Sequence, residues 1–358
     1  MLVKQEINEK KKYLINRLKG NLDDEEKEKL KITLAGLIEL ELQNDGLKNI
    51  KLYNLIGKLS KNYTFVKTNR ELNVIYSGLP RFFPSQLNKE YIDYLLKLAN
   101  NISKINVNYN NHELNNIEIS ENDVINISKK FYESLDNEVI TEKSNKILND
   151  KSHFGFTNDV SKNMVNNFYG ITIPDLIFNK PYISVVKQNN LNEYLTFTHE
   201  VMHGIDFYIE PKIFTKIFWG FIEIPTYTIE YLFLDYLEEN GFNIEDIKKL
   251  RNIYSNYLSN LSNEILNRKD ELQIKNNDAY FIPNDLLKYM LELESHIISK
   301  SFYEQIKLSK KEGLDNLVKY MKNPLSKDKV PDFSYIGFDN NHLLKISEDM
   351  RFNYKKNK

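Results

Sequence analysis

The sequence predicts a mainly α-helical protein with one small β element, and three observations carry that expectation. Only 12 Gly and 9 Pro punctuate 358 residues, so long helices can run unbroken. Apolar residues recur at three- and four-residue spacing over most segments, the period of one helix face. One stretch departs from that period: Lys180-Pro-Tyr-Ile-Ser-Val-Val-Lys187 is β-branched and aromatic, is followed by Asn189-Asn190, and reads as a strand.

The elements follow in chain order. Leu14 and Leu18, then Leu30, Leu34, Leu37, Ile38 and Leu42, mark two helices of a hairpin. Its break falls at Gly20-Asn21-Leu22, with Asp23 and Asp24 placing negative charge at the second start. Tyr91–Leu98 is amphipathic. Asn100–Asn116 is Asn-rich and reads as a small hairpin or a loop. Ser120 and Asp123 form a loose capping box that opens a helix through Leu135. After the strand, Asn190 and Glu193 cap a helix whose core stripe is Leu195, Thr198, Met202 and Ile205. Further helices are expected over Ile224–Leu237, Ile244–Asn267, Asp285–Leu308 and Leu314–Met321, with no internal repeat.

Composition excludes several classes of function. Hydrophobic residues at 41% are too many for a disordered chain. A balance of 49 basic against 50 acidic residues argues against a nucleic-acid or anionic-membrane partner. Cysteine is absent, which removes disulfides, thiolate nucleophiles and thiolate-bound zinc; a metal here must be held by His and carboxylates. Met1–Lys12 lacks the apolar core of a signal peptide. The longest apolar stretch, Ile213–Leu237, is interrupted by Lys216, Glu223, Pro225, Glu230 and Asp235, so a cytoplasmic location is expected.

His199-Glu200-Val201-Met202-His203 is the most informative segment. A helix turns about 100° per residue, so histidines four apart project from one face and can grip one metal ion. Glu200 is then set beside that metal, where it can take a proton from a bound water. With 6 His in the chain, such a pattern arises by chance at only about the 1% level.

Two histidines leave a zinc site incomplete, because catalytic centres use three protein ligands and keep one position for water. The class completed by a third histidine needs Gly at 206 and His at 209, where Asp206 and Ile209 stand. In the class completed by glutamate, that residue arrives from a following helix. Glu223 lies 20 residues after His203, and Glu230 follows two helical turns later on the same face. Phe218, Trp219, Phe221, Ile222 and Ile224 signal burial around Glu223, and a buried carboxylate needs a partner such as a metal. Glu230 is then either an acceptor that orients a ligand histidine or an ordinary ion-pair partner. Asp206, three residues after His203, reads equally as a carboxylate behind the ligands or a plain helix-surface residue.

Thr196-Phe-Thr-His-Glu-Val-Met-His-Gly204, followed by Glu223-Ile-Pro-Thr-Tyr-Thr-Ile-Glu230, resembles the zinc oligopeptidases of the thimet oligopeptidase and oligoendopeptidase F type. The resemblance is to a short member; it covers residues 120 to 240, extends to the C-terminus, and has no support before residue 120. It implies a helical zincin-type metallopeptidase with a small β element beside the active-site helix and a substrate cleft between two helical halves. Residues 1–118 would be an N-terminal helical region and 119–358 the catalytic region, packed as one body. It implies one Zn2+ per chain on His199, His203 and Glu223, with Glu200 as general base. Tyr182, Ile183, Ser184 and Val185 look like the family's edge strand beside bound peptide. Tyr280 and Tyr289 are the nearest matches to the phenols that stabilise the oxyanion, although core packing explains each as well; His296 reads as structural. Met202 departs from the family, standing where a glycine is usual.

The expected activity is zinc-dependent endopeptidase action on peptides. A dedicated processing protease for one peptide or protein, or an inactive helical binding protein on the same scaffold, are the alternatives. A thermolysin-like enzyme is disfavoured because Tyr227 stands where such enzymes carry an aspartate.

Overall fold

The computed structural model describes residues 4–45, 63–68, 71–76, 87–105, 113–157, 169–177, 179–211, 219–275, 279–323 and 330–356. In order, these form α1 (Lys4–Arg17), α2 (Asp24–Asp45), β1 (Tyr63–Thr68), β2 (Glu71–Tyr76), β3 (Leu87–Asn88) and α3 (Lys89–Ile102). They continue as α4 (Glu121–Ser134), α5 (Glu138–Leu148), β4 (Phe154–Thr157), β5 (Gly170–Asp175), β6 (Lys180–Val186) and α6 (Leu191–Ile209). The last are α7 (Trp219–Glu239), α8 (Ile244–Asn267), β7 (Gln273–Lys275), β8 (Ala279–Phe281), α9 (Asn284–Leu308), α10 (Lys310–Lys322) and α11 (Asn340–Lys356). The mainly helical expectation holds. No helix among the described residues is long and apolar enough to cross a membrane.

The chain divides into two compact units: residues 1–81 with 117–215, and residues 82–116 with 216–358. Within the first unit the N-terminal hairpin packs onto the sheet, α2 against β5. Gly36 of α2 lies so close to β5 that a Cβ there would meet the side chain of Ile173. The Thr33 hydroxyl accepts from the backbone N–H of Leu176 at 3.1 Å, and Lys10 donates to the Tyr182 hydroxyl. Leu14, Leu30, Leu34 and Leu37 are buried, as their spacing requires.

In the first unit, β4, β6 and β5 form a sheet in that order, β4 parallel and β5 antiparallel to β6. This corrects the expectation of an edge strand at 181–185: β6 is the central strand, its backbone pairs on both sides, and every residue after Lys180 is buried. The continuous run Tyr-Ile-Ser-Val-Val fits such a doubly covered strand better than an edge. The capping box forms as expected, with Ser120 accepting from the Asp123 N–H and Asp123 accepting from the Ser120 N–H. A two-stranded hairpin, β1 with β2, also belongs to this unit and was not anticipated. Of the Asn-rich stretch, residues 106–112 lie outside the described residues, and 113–116 form no regular element.

In the second unit, α9 is the hub against which α7, α10, α8, α3 and α11 pack. Its apolar residues Leu286, Leu287, Met290, Leu291, Leu293, Ile297, Ile298 and Phe302 are all buried. Gly313 of α10 permits a close crossing: a Cβ there would come within 2.6–2.7 Å of the Ile306 backbone. A small sheet, in the order β3, β8, β7, completes the unit.

Candidate metal centre

The site is built on α6. The Asn190 side chain accepts from the Asn192 N–H at 3.0 Å, and Glu193 Oε2 accepts from the backbone N–H groups of Gln188 and Asn189. These bonds fix where the helix starts, as the sequence indicates. Leu195, Thr198, Met202 and Ile205 face the core and are at most 1% exposed. Met202 therefore fills a packing position. From α4, Tyr132 donates its hydroxyl to the Thr198 carbonyl at 2.7 Å, and Ser128 shares a hydrogen bond with the Thr198 hydroxyl. Both clamp the residue that precedes His199.

His199 is half-buried and His203 buried. Their Nε2 atoms are 3.1 Å apart and the rings meet edge to face at 78°. Two imidazoles bound to one tetrahedral zinc at about 2.0–2.1 Å each would set their nitrogens about 3.3 Å apart. The observed spacing agrees to within a few tenths of an ångström. One turn further on, Asp206 is completely buried.

Glu200 is only 6% exposed, an unusual state for a helix carboxylate. It lies against β5. Thr172 donates its hydroxyl to Glu200 Oε2 at 2.7 Å, with the Glu200 carbonyl also in reach at 2.8 Å. At Gly170 a Cβ would fall 2.7 Å from the Glu200 side chain. Neither Gly170 nor Thr172 carries a sequence signal that could have drawn attention to it.

Glu223 is carried by the first turns of α7, a helix that contains Pro225. Proline has no N–H, so the carbonyl four residues earlier loses its helical donor. That carbonyl belongs to Phe221, and the buried Tyr320 hydroxyl donates to it at 2.8 Å. The proline is thereby accommodated two residues after Glu223. The Thr226 hydroxyl reaches both the Glu223 carbonyl at 2.9 Å and Oε2 at 3.2 Å. Glu223 itself is half-buried, less enclosed than its apolar neighbours suggest.

Glu230 is buried and accepts from Tyr254, whose phenol is pushed well above its usual range by burial and then by the Glu230 charge. Tyr227, one turn after Glu223, stacks on His296 at 3.8 Å between centroids. Burial, then the charges of Glu223 and Glu292, hold its phenol protonated. His296 is 1% exposed and occupies the structural position its Leu- and Ile-rich helix suggests. Tyr280 sits on β8, paired with Leu87 and Ile274, and Tyr289 is half-buried on α9.

The donor atoms of His199, His203 and Glu223 all lie within 4.8 Å of one another, the only such group of three found among the described residues. Two imidazoles and one carboxylate form a borderline nitrogen–oxygen set that suits zinc and leaves a fourth position for water.

No protein-family model and no curated protein matches the sequence. Solved structures do match. PZ peptidase A, in a structure with an inhibitor, is 12% identical with a TM-score of 0.54, over 92% of this chain and 69% of that one. A protein assigned as oligoendopeptidase F is 10% identical with a TM-score of 0.53, over 93% of this chain and 65% of that one. An assigned oligoendopeptidase F from Bacillus anthracis str. Ames is a looser match, 13% identical with a TM-score of 0.49 over 75% of this chain. This chain spans between 54% and 69% of the length of the structures it matches. Its fold is that of these helical oligoendopeptidase-type peptidases.

Proposed function

We propose that the protein is a zinc-dependent endopeptidase that hydrolyses peptide bonds in peptides or unfolded polypeptide. The observation that carries this reading is the convergence of His199, His203 and Glu223 donor atoms within 4.8 Å, with Glu200 next to the first histidine in sequence. The likeness in fold to PZ peptidase A supports it. The donor set fits zinc, which when bound would supply Lewis-acid activation of a water and of the scissile carbonyl.

The protein's own groups do the rest. Glu200 accepts the proton of the attacking water and returns it to the departing amine. The phenol of Tyr280 or Tyr289 donates to the developing oxyanion. In this reading Asp206 and Glu230 would serve as acceptors that orient the ligand histidines. Because β6 is paired on both sides, Tyr182, Ile183, Ser184 and Val185 brace the sheet, and an extended peptide would pair with an outer strand instead.

Digestion of a random peptide library, read by mass spectrometry, tests this reading. Cleavage should disappear with a chelator and return with zinc. Glu200→Gln should bind zinc and lose nearly all cleavage. Retained cleavage in that variant, or no cleavage by zinc-loaded wild type, would refute the proposal.

A further inference from the structure

We infer that Thr172 is the positioning residue of the general base, with Gly170 leaving the space that the base needs. The inference rests on the peptidase reading of Glu200 and concerns how that carboxylate is held. Residues 170 and 172 are two apart on β5 and so present the same side of the strand. Both meet Glu200. At Gly170 an ideal Cβ would stand 2.7 Å from Glu200 Cγ, from Glu200 Oε1 and from Thr196 Cγ2. Any side chain there would displace the carboxylate. At the next position on that side, Thr172 Oγ1 lies 2.7 Å from Glu200 Oε2 and 2.8 Å from the Glu200 carbonyl oxygen.

A hydroxyl has one hydrogen, so it is shared between these two acceptors. The effect is a bridge from the end of the Glu200 side chain back to its own backbone. A free glutamate samples many rotamers, and selecting one costs on the order of 1–2 kcal/mol that a pre-formed bridge removes in advance. A general base must stand within hydrogen-bond reach of the proton it takes. Displacement by about 1 Å in such a site can cost a hundredfold in rate. Thr172 therefore acts through Glu200. The sheet supplies the rigidity: β5 pairs with β6 along its whole length and packs against α6. The same device recurs at the ligand glutamate, where Thr226 reaches both the carbonyl and the carboxylate of Glu223.

The test compares wild type, Thr172→Val, Thr172→Ser and Gly170→Ala by kcat, KM and zinc content, using a peptide cleaved by the wild-type enzyme. Valine keeps the shape and the β-branch, so a residue that serves only the sheet would lose nothing. We expect Thr172→Val to lower kcat roughly tenfold to a hundredfold, the loss of one hydrogen bond to a charged group, with KM and zinc content unchanged. Thr172→Ser should recover most of that loss, and Gly170→Ala should behave like the valine variant. If Thr172→Val does not fold, Thr172→Ala is read in the same way. A Thr172→Val enzyme within about twofold of wild-type kcat overturns the inference while the peptidase reading stands. So does a serine variant as impaired as the valine one, or loss of zinc from the valine variant. Absence of hydrolysis by zinc-loaded wild type overturns both.

Discussion

Replacing Glu294 by Gln should change how stability depends on pH. Glu294 lies on α9, is only 1% exposed, accepts from Tyr91 of α3 and adjoins the Tyr94 hydroxyl. Burial pushes its carboxyl from an ordinary 4.5 up to about 8, against the opposing pull of the two phenols. The unfolded chain releases this proton near pH 4.5, whereas the folded protein holds it until about pH 8. Between those values the folded state binds the extra proton, so stability is full below pH 4.5 and falls as pH rises toward 8. The slope is about 1.4 kcal/mol per pH unit, and the loss accumulated at pH 7 is on the order of 3 kcal/mol. Glutamine does not titrate and keeps an oxygen for the Tyr91 hydroxyl. Other groups titrate alike in both proteins and cancel in the difference. The stability of Glu294→Gln relative to wild type should therefore rise by about 2–3 kcal/mol between pH 5 and pH 7, whatever its starting value. Urea unfolding followed by circular dichroism at both pH values measures it. A difference that does not change with pH would refute the buried, protonated carboxyl.

Three further outcomes follow from the packing and the ligand set. Tyr320→Phe leaves the buried Phe221 carbonyl without the donor that Pro225 cannot supply, and should cost about 1–3 kcal/mol in the same unfolding assay. Gly313→Ala drives a methyl into the Ile306 backbone and should destabilise by about 1–3 kcal/mol, despite the better helix propensity of alanine. Chelator-treated wild-type protein should regain thermal stability on addition of zinc, and His199→Ala should show no such gain when followed by differential scanning fluorimetry.

Much of the helical framework was legible because the physics that sets it is local. The Gly20-Asn21-Leu22 break, the Ser120–Asp123 capping box and the Asn190 cap all act within a few residues, and each stands where the sequence places it. The histidine pair was legible for the same reason, since four residues make one turn. The order of the strands was not. A run such as Tyr182–Val185 is apolar whether it is covered on one edge or two, and only pairing with β4 and β5 makes it central. β4 and β5 are four and six residues long and carry no periodicity that separates them from loop. Two contacts that shape the site were hidden by distance along the chain: Thr172 precedes Glu200 by 28 residues, and Tyr320 follows Phe221 by 99. Neither contact leaves a mark on the sequence around the residue it serves.

Zinc content is the most direct test of the central claim. Protein loaded with zinc, passed through a desalting column and measured by elemental analysis should carry one zinc per chain in wild type and in Glu200→Gln. His203→Ala and Glu223→Ala should lose it. Wild type with less than about a tenth of an equivalent, or a Glu223→Ala variant that holds zinc as tightly as wild type, would contradict the account.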